Sequence, residues 1–254
     1  MIRRLAAAAA VPMIAGLGVA LAAPAHADAG SNSKKNVHSK TFQRGAAKVQ
    51  AGSPTISFYG SCRLIVPRTA RVVQDFYEVP VRVTGGCALH PGPTAIWYIG
   101  RNFMDSTDGI FFDDAKSSTW DLYNDTPLGT PTWTGLGAVD DNDNFYSQDA
   151  PRTTVKVGSW AGLQTKRSGN TITIDSRAVR YATSLDYTIP WAGQGATIQY
   201  RTIGSSIWTN LKLATTNPKG AITYNYTTTA KRDYRVRYNE AAYIWGATSP
   251  TSRR

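Results

Sequence analysis

Apolar and polar residues alternate at every second position through most of the chain from Thr55 onward. Val79, Val81 and Val83, for example, share one parity between polar neighbours. A period of two places alternate side chains on opposite faces of an extended strand, whereas an amphipathic helix has a period near 3.6. The pattern therefore predicts an all-β protein built from short strands that each bury one face.

The first 27 residues depart from this pattern and have the layout of a secretory signal peptide. Arg3 and Arg4 are followed by an Ala-rich apolar run over residues 5–23, and an Ala-His-Ala tripeptide ends at Ala27. A membrane anchor is the alternative, but the run contains helix-breaking Pro and Gly and precedes a small-residue cleavage site. We therefore predict a cleaved signal at residues 1–27, no transmembrane segment and a secreted, extracellular protein.

The remaining chain divides into three segments. Residues 28–52 are rich in Gly, Ser and Lys and poor in large apolar side chains, which predicts a flexible basic arm. Residues 53–157 and 158–254 each contain a set of short strands bounded by Gly, Pro, Asn and Asp. In the second set, about seven strands separated by turns fit into 97 residues, the pattern of a Greek-key sandwich. The prediction is two tandem immunoglobulin-like β-sandwiches with a boundary near Gly158.

The two cysteines, Cys62 and Cys87, are the whole cysteine content of the chain. An isolated pair in an exported protein usually forms a disulfide, and two thiols without a nearby His pair make an incomplete zinc site. We predict a Cys62–Cys87 disulfide in the first sandwich.

Several short motifs occur through the second half, namely Pro190-Trp191-Ala192-Gly193-Gln194, Ile198-Gln199-Tyr200-Arg201, Gly204-Ser205-Ser206 with Trp208, Lys219-Gly220 and Tyr234-Arg235-Val236-Arg237-Tyr238. With these motifs the second half resembles the C-terminal immunoglobulin-like domain of uncharacterised secreted actinobacterial proteins. The resemblance implies tandem immunoglobulin-like domains. It supplies no catalytic residues.

Charge differs sharply between the halves. Residues 28–157 carry 13 Lys and Arg against 13 Asp and Glu, whereas residues 158–254 carry 13 against 4, a net charge of +9. If the apolar members of the strand at 234–238 face inward, Arg235 and Arg237 face outward, and parity also turns Arg201 outward. These three arginines form a candidate anion-binding face for an anionic cell-wall polymer or another polyanion. The alternative is a basic surface that only keeps the protein soluble.

Alternation also assigns the aromatic residues. It gives most of them, Trp208 included, an inward position in a strand, and it leaves Trp191 and Trp245 in loops where their rings could be exposed. Leu211 and Leu213 follow Trp208 in the same predicted strand.

The acidic turn at 140–144 is a candidate calcium site. Asp140, Asp141 and Asp143 offer carboxylates of the kind that calcium binds, although the spacing fails the EF-hand pattern. Asp and Asn also occur in hairpin turns for backbone reasons. A calcium-stabilised extracellular structural protein is therefore an alternative function, with calcium as its one candidate cofactor.

Signals for catalysis are weak, and we assign no catalytic residues. His38 lies in the predicted arm and His90 in a Pro-rich turn, and no nucleophile, metal-hydrolase or phosphate-loop motif occurs. An extracellular hydrolase would need a carboxylate pair, drawn from Glu78, Asp105, Asp108, Asp113 and Asp114. The favoured hypothesis is a non-enzymatic binding or cell-envelope-associated module.

Overall fold

A computed structural model describes residues 57–89 and 92–254. The predicted signal peptide and basic arm lie outside the described residues, as do the first four residues of the predicted first sandwich. Within the described ranges, no helix is long and apolar enough to cross a membrane.

The described chain consists of strands and one short 3₁₀ turn at Gly86–Ala88. In chain order the strands are β1 Gly60–Ile65, β2 Thr69–Val72, β3 Phe76–Gly85, β4 Thr94–Gly100, β5 Ser106–Phe112, β6 Ser117–Tyr123, β7 Thr134–Val139, β8 Phe145–Gln148, β9 Thr154–Val157, β10 Ser159–Ser168, β11 Thr171–Ala182, β12 Tyr187–Pro190, β13 Gly195–Thr202, β14 Thr209–Thr215, β15 Ala221–Thr227, β16 Arg232–Tyr238, β17 Ala247–Thr248 and β18 Ser252–Arg253.

The first half forms one curved sheet with the strand order β5-β4-β7-β8-β1-β3-β6, and β2 pairs separately with β9. The two outermost strands meet, because Ser118 Oγ on β6 donates to Phe111 O on β5 at 2.6 Å. The sheet therefore curls round its own core. The prediction was a sandwich of two separate sheets, but the first half has one seven-stranded sheet.

Three tryptophans fill that core. Trp97, Trp120 and Trp133 are fully buried, and the last two pack edge to face with their ring centres 5.3 Å apart. A buried indole N–H needs an acceptor. Each finds one, at Asp149 O, Asp108 Oδ2 and Thr153 Oγ1 respectively.

The predicted disulfide is confirmed. Cys62 on β1 is bonded to Cys87 in the 3₁₀ turn, and both residues are buried. The bond joins β1 to the turn that follows β3, its hydrogen-bonded neighbour.

The second half is a sandwich of two sheets. One contains β10, β11, β12 and β15, and the other has the order β14-β13-β16 with β17 and β18 along the far side of β16. In immunoglobulin-like terms, β10, β11 and β15 take the A, B and E positions, and β13 and β16 take C and F. The apolar faces meet in a core that includes Ile172, Ile174, Ile198 and Val236. The all-β, immunoglobulin-like fold class is therefore confirmed.

The two halves belong to one compact unit. Gly158 is the single residue between β9 and β10, and Tyr181 of β11 packs into the core of the first half. Trp245 Nε1 donates to Ala70 O at 3.0 Å, so the indole bridges the halves. The domain boundary near Gly158 stays a prediction, and these contacts would couple the domains on either side of it.

Candidate anion-binding face

The candidate site lies on the outer face of the sheet formed by β14, β13 and β16. Tyr234, Val236 and Tyr238 are at most 1% exposed, which turns the intervening arginines of β16 outward as parity predicted. We call Arg201, Arg235, Arg237, Gln199 and Trp208 the arginine face.

The register of β13 and β16 sets the neighbours on this face. Arg235 pairs with Gln199, Arg237 with Thr197, and Arg201 with Asp233. Directly opposed residues of an antiparallel pair project to the same side of the sheet. The three predicted arginines therefore share one surface, although their binding of an anion stays a prediction.

The acid on this surface is already neutralised. Asp233 is 1% exposed and accepts from Arg201 Nε at 3.1 Å and from Arg253 Nε at 2.8 Å. These hydrogen bonds, that from Arg253 foremost, hold the pKa of the Asp233 carboxyl below its ordinary value. Two cations share one carboxylate, so Asp233 leaves no charge to balance Arg235 or Arg237.

Trp208 is the centre of the face. The guanidinium carbons of Arg201 and Arg235 lie 4.7 Å and 4.1 Å from the centre of its ring. Arginine stacks on aromatic rings through its planar guanidinium and through the attraction of the cation to the ring electrons. The indole therefore fixes where both cations stand.

A polar chain beneath the cations completes the arrangement. Arg235 Nε donates to Gln199 Oε1 at 2.8 Å, and Gln199 Nε2 donates to Asn210 Oδ1 at 2.7 Å. Burial lowers the pKa of the Arg235 guanidinium, and the charges of Arg237 and Arg201 lower it further. Arg237 is exposed and makes no hydrogen bond or ion pair with the residues that the structure describes.

Trp208 and Leu213 do not face the core. Trp208 was expected to face inward, but it stacks on surface arginines, and Leu213 in the strand that follows it is 74% exposed. A register shift between Ile198 and Gln199 against β14 changes which side chains face outward. A bulge of this kind reverses the pattern locally. The signal available in the sequence is the clustering of Asn, Lys and Thr around Leu211 and Leu213, which is unusual for a core strand.

The other two tryptophans singled out from the sequence are not free surface rings. Trp191 is 5% exposed and belongs to the core of the second half. Trp245 is half-buried between the halves.

The acidic turn between β7 and β8 has a local structural role. Asp140 accepts hydrogen bonds from Asn142 N, Asn144 N, Asn144 Nδ2 and the Tyr146 hydroxyl, and Asp143 has a positive φ of 60°. Hydrogen bonds from Asn144 and Tyr146 lower the pKa of Asp140 although its partial burial acts in the opposite direction. In the described part of the chain, no group of three or more His, Cys, Asp or Glu side chains is placed to hold a metal. The calcium site at Asp140, Asp141 and Asp143 stays a prediction.

Asp108 stands out among the carboxylates considered for catalysis. It accepts from Trp120 Nε1 at 2.8 Å and from Gly109 N at 2.9 Å. Burial is the main cause that raises its pKa to about 7, and Asp121 and Asp125 add to the effect. Asp108 lies on β5 and Trp120 on β6, so this carboxyl group helps to close the curved sheet.

The remaining carboxylates of that group have separate surroundings. Asp105 bonds to Asn102 in an exposed turn, and Asp114 accepts from Thr94 Oγ1 at 2.6 Å with a positive φ. Glu78 lies on β3 opposite Asp121, and Asp113 follows β5. The hydrolase alternative therefore gains no specific support from their geometry.

Comparison with known proteins gives only weak structural likenesses. No protein-family model matches the sequence, and no curated protein matches it. Solved structures of similar arrangement include domains of titin, at 10% identity and a TM-score of 0.27 over 75% of this chain and 65% of that one. The adhesin InvE of Yersinia pseudotuberculosis is 13% identical, with a TM-score of 0.26 over 76% of this chain and 57% of that one.

A Salmonella α-2-macroglobulin variant is 7% identical, with a TM-score of 0.37 over 80% of this chain and 15% of that one. In all three cases the chain spans less than two thirds of the solved chain that it matches. The immunoglobulin-like assignment therefore depends on the arrangement of strands in the chain itself.

Proposed function

We propose that the protein is a secreted, non-enzymatic binding or cell-envelope-associated module that contacts an anionic polymer through its arginine face. The observation that carries the proposal is the pair Arg235 and Arg237, side by side on β16 while Asp233 is occupied by Arg201 and Arg253. Like charges on neighbouring positions repel one another, and an anionic partner relieves that cost.

The disulfide supports the extracellular part of the proposal. Disulfides form and persist in oxidising compartments and are rare in the reducing cytosol. A buried Cys62–Cys87 bond fits the export signal that the first 27 residues predict.

A salt series tests the proposed function. Purified protein is mixed with isolated cell wall and, separately, with immobilised polyphosphate, and the bound fraction is measured between low salt and 1 M salt. Binding by surface charge should weaken steeply because the Debye length falls from about 10 Å at 0.1 M salt to about 3 Å at 1 M. The double variant Arg235→Gln, Arg237→Gln should bind less and show a flatter salt dependence.

A matched control removes the same charge from the opposite sheet. Lys166 on β10 and Arg177 on β11 are both exposed, and their replacement by Gln also lowers the net charge by two. If the arginine face is the site, this control should bind nearly as the parent does. Equal binding by parent and Arg235/Arg237 variant at every salt concentration would rule the face out.

A further inference from the structure

The cations of the arginine face are held in different ways. Arg235 is half-buried, stacked on Trp208 and hydrogen-bonded through Nε to Gln199. Arg237 is exposed and has no such support from the described residues. The guanidinium of Arg235 is therefore held in position, and that of Arg237 is held by none of the described residues.

The terminal nitrogens of the Arg235 guanidinium make no hydrogen bond with the described residues. Arg235 Nε donates to Gln199, and Arg201 Nε donates to Asp233. Among the described residues, no partner accepts a hydrogen bond from the terminal Nη groups of either arginine. The Nη groups are the donors that bind an oxyanion in a fork, with two parallel N–H···O bonds. Both forks lie beside the same indole ring.

We infer that Arg235, held by Trp208 and Gln199 and flanked by Arg201, is a preformed fork for a tetrahedral oxyanion, namely the phosphate or sulfate group of the anionic polymer. This inference rests on the proposed function and adds the chemical class of the ligand. A planar carboxylate presents two oxygens, which one guanidinium satisfies. A phosphate or sulfate presents oxygens in three dimensions and can accept from two guanidinium groups together.

Preorganisation explains why Arg235 would contribute more to binding than Arg237. Ordering a long side chain on binding costs free energy, and a ring and an amide that already hold it remove much of that cost. Burial lowers the pKa of Arg235 and the charges of Arg237 and Arg201 lower it further, and an arriving anion relieves the like-charge repulsion among the three. Arg237 contributes attraction at a distance and little geometry.

The test compares arginine with lysine, because the exchange keeps the charge and removes the fork. Binding of polyphosphate and of dextran sulfate is measured at fixed ionic strength for the parent, Arg235→Lys and Arg237→Lys. Arg235→Lys should bind roughly tenfold more weakly, since it loses bidentate bonds, the indole stack and the Gln199 contact. Arg237→Lys should stay within about twofold of the parent because its role depends on charge alone.

Trp208→Leu tests independently whether the indole ring holds Arg235 for binding. It leaves every charge in place, so it should weaken polyphosphate binding in the same direction as Arg235→Lys. Thermal unfolding of each variant identifies any that is misfolded, and Gln199→Ala then tests the support of Arg235 at a second position.

The outcomes separate the two proposals. Equal losses for the two lysine variants would overturn the preformed fork and leave the proposed function standing. No loss for the double glutamine variant would overturn both. Polygalacturonate, a carboxylate polymer, should bind clearly more weakly than polyphosphate and dextran sulfate, and equal binding would overturn the assignment to tetrahedral oxyanions.

Discussion

The two halves of the molecule use tryptophan in opposite ways. In the first half, Trp97, Trp120 and Trp133 are fully buried, and each indole N–H is bonded inside the protein. In the second half, Trp208 lies on the outer face and holds two arginines. The same side chain fills a core in one half and builds a surface in the other, because its large ring supplies packing area and an electron-rich face alike.

The means of stabilisation differ in the same way. The first half adds a disulfide to an apolar core rich in Trp and Val, while the second has a sandwich core of Ile, Val and Tyr and contains no cysteine. The +9 charge of the second half is carried outside that core. The comparison shows that the second half closes an apolar core while most of its charged side chains lie outside it.

Removal of the disulfide should have the largest effect and should fall on the first half. Cys62→Ala with Cys87→Ala releases a loop that the bond closes over a sequence separation of 25 residues. On the chain-entropy model this costs roughly 3 kcal/mol of unfolding free energy, which would lower the melting temperature by about 10 °C. Differential scanning calorimetry measures the shift.

Calorimetry also reports whether the halves unfold together. The contacts of Tyr181 and Trp245 lead us to expect one transition that moves as a whole. Two transitions, of which only the first shifts to lower temperature in the cysteine variant, would contradict coupling and support independent domains on either side of Gly158.

The burial of Asp108 should make the stability of the first half fall as pH rises towards neutrality. Its pKa is about 7 in the folded protein and about 4 in an unfolded chain. Asp108 therefore stabilises the fold most below about pH 4, and this contribution falls as pH rises through 7, by about 4 kcal/mol in all. Asp108→Asn should flatten the decline of melting temperature between pH 5 and pH 8.

Asp105→Asn provides the matched control for that experiment, since Asp105 lies in an exposed turn before the same strand. It should reproduce the parent profile. Parallel profiles for the parent and Asp108→Asn would show that this carboxyl group does not titrate in the window.

The smallest effects are expected for two tryptophan substitutions, one where the halves meet and one on the surface. Trp245→Phe keeps a ring but loses the 3.0 Å bond from the indole N–H to Ala70 O, at a cost of about 1 kcal/mol. Melting temperature should fall by about 2–4 °C. Trp208→Phe, on the surface, should change stability by less than about 0.5 kcal/mol, and an equal fall for both variants would remove the distinction between interface and surface tryptophan.

Much of the fold and part of the site could be predicted from local pattern. The period of two identified strands and turned Arg235 and Arg237 outward, because a side chain on a regular strand has only two faces to choose from. The same rule failed at Trp208, which precedes β14, and a bulge between β13 and β14 interrupts the period of two near Leu213. Alternation also could not predict that the charge of Asp233 is neutralised by Arg253, which lies 20 residues later in the chain.

The sequence by itself determined the all-β class, the pairing of its two cysteines and the excess of positive charge in the second half. These depend on period, count and composition, which need no knowledge of distant contacts. The tertiary structure alone decided that the first half curls into one sheet, that Tyr181 crosses into the other core, and that Arg235 stands fixed between Trp208 and Gln199. Those features depend on which strands become neighbours, and strand pairing is settled by the packing of the whole chain.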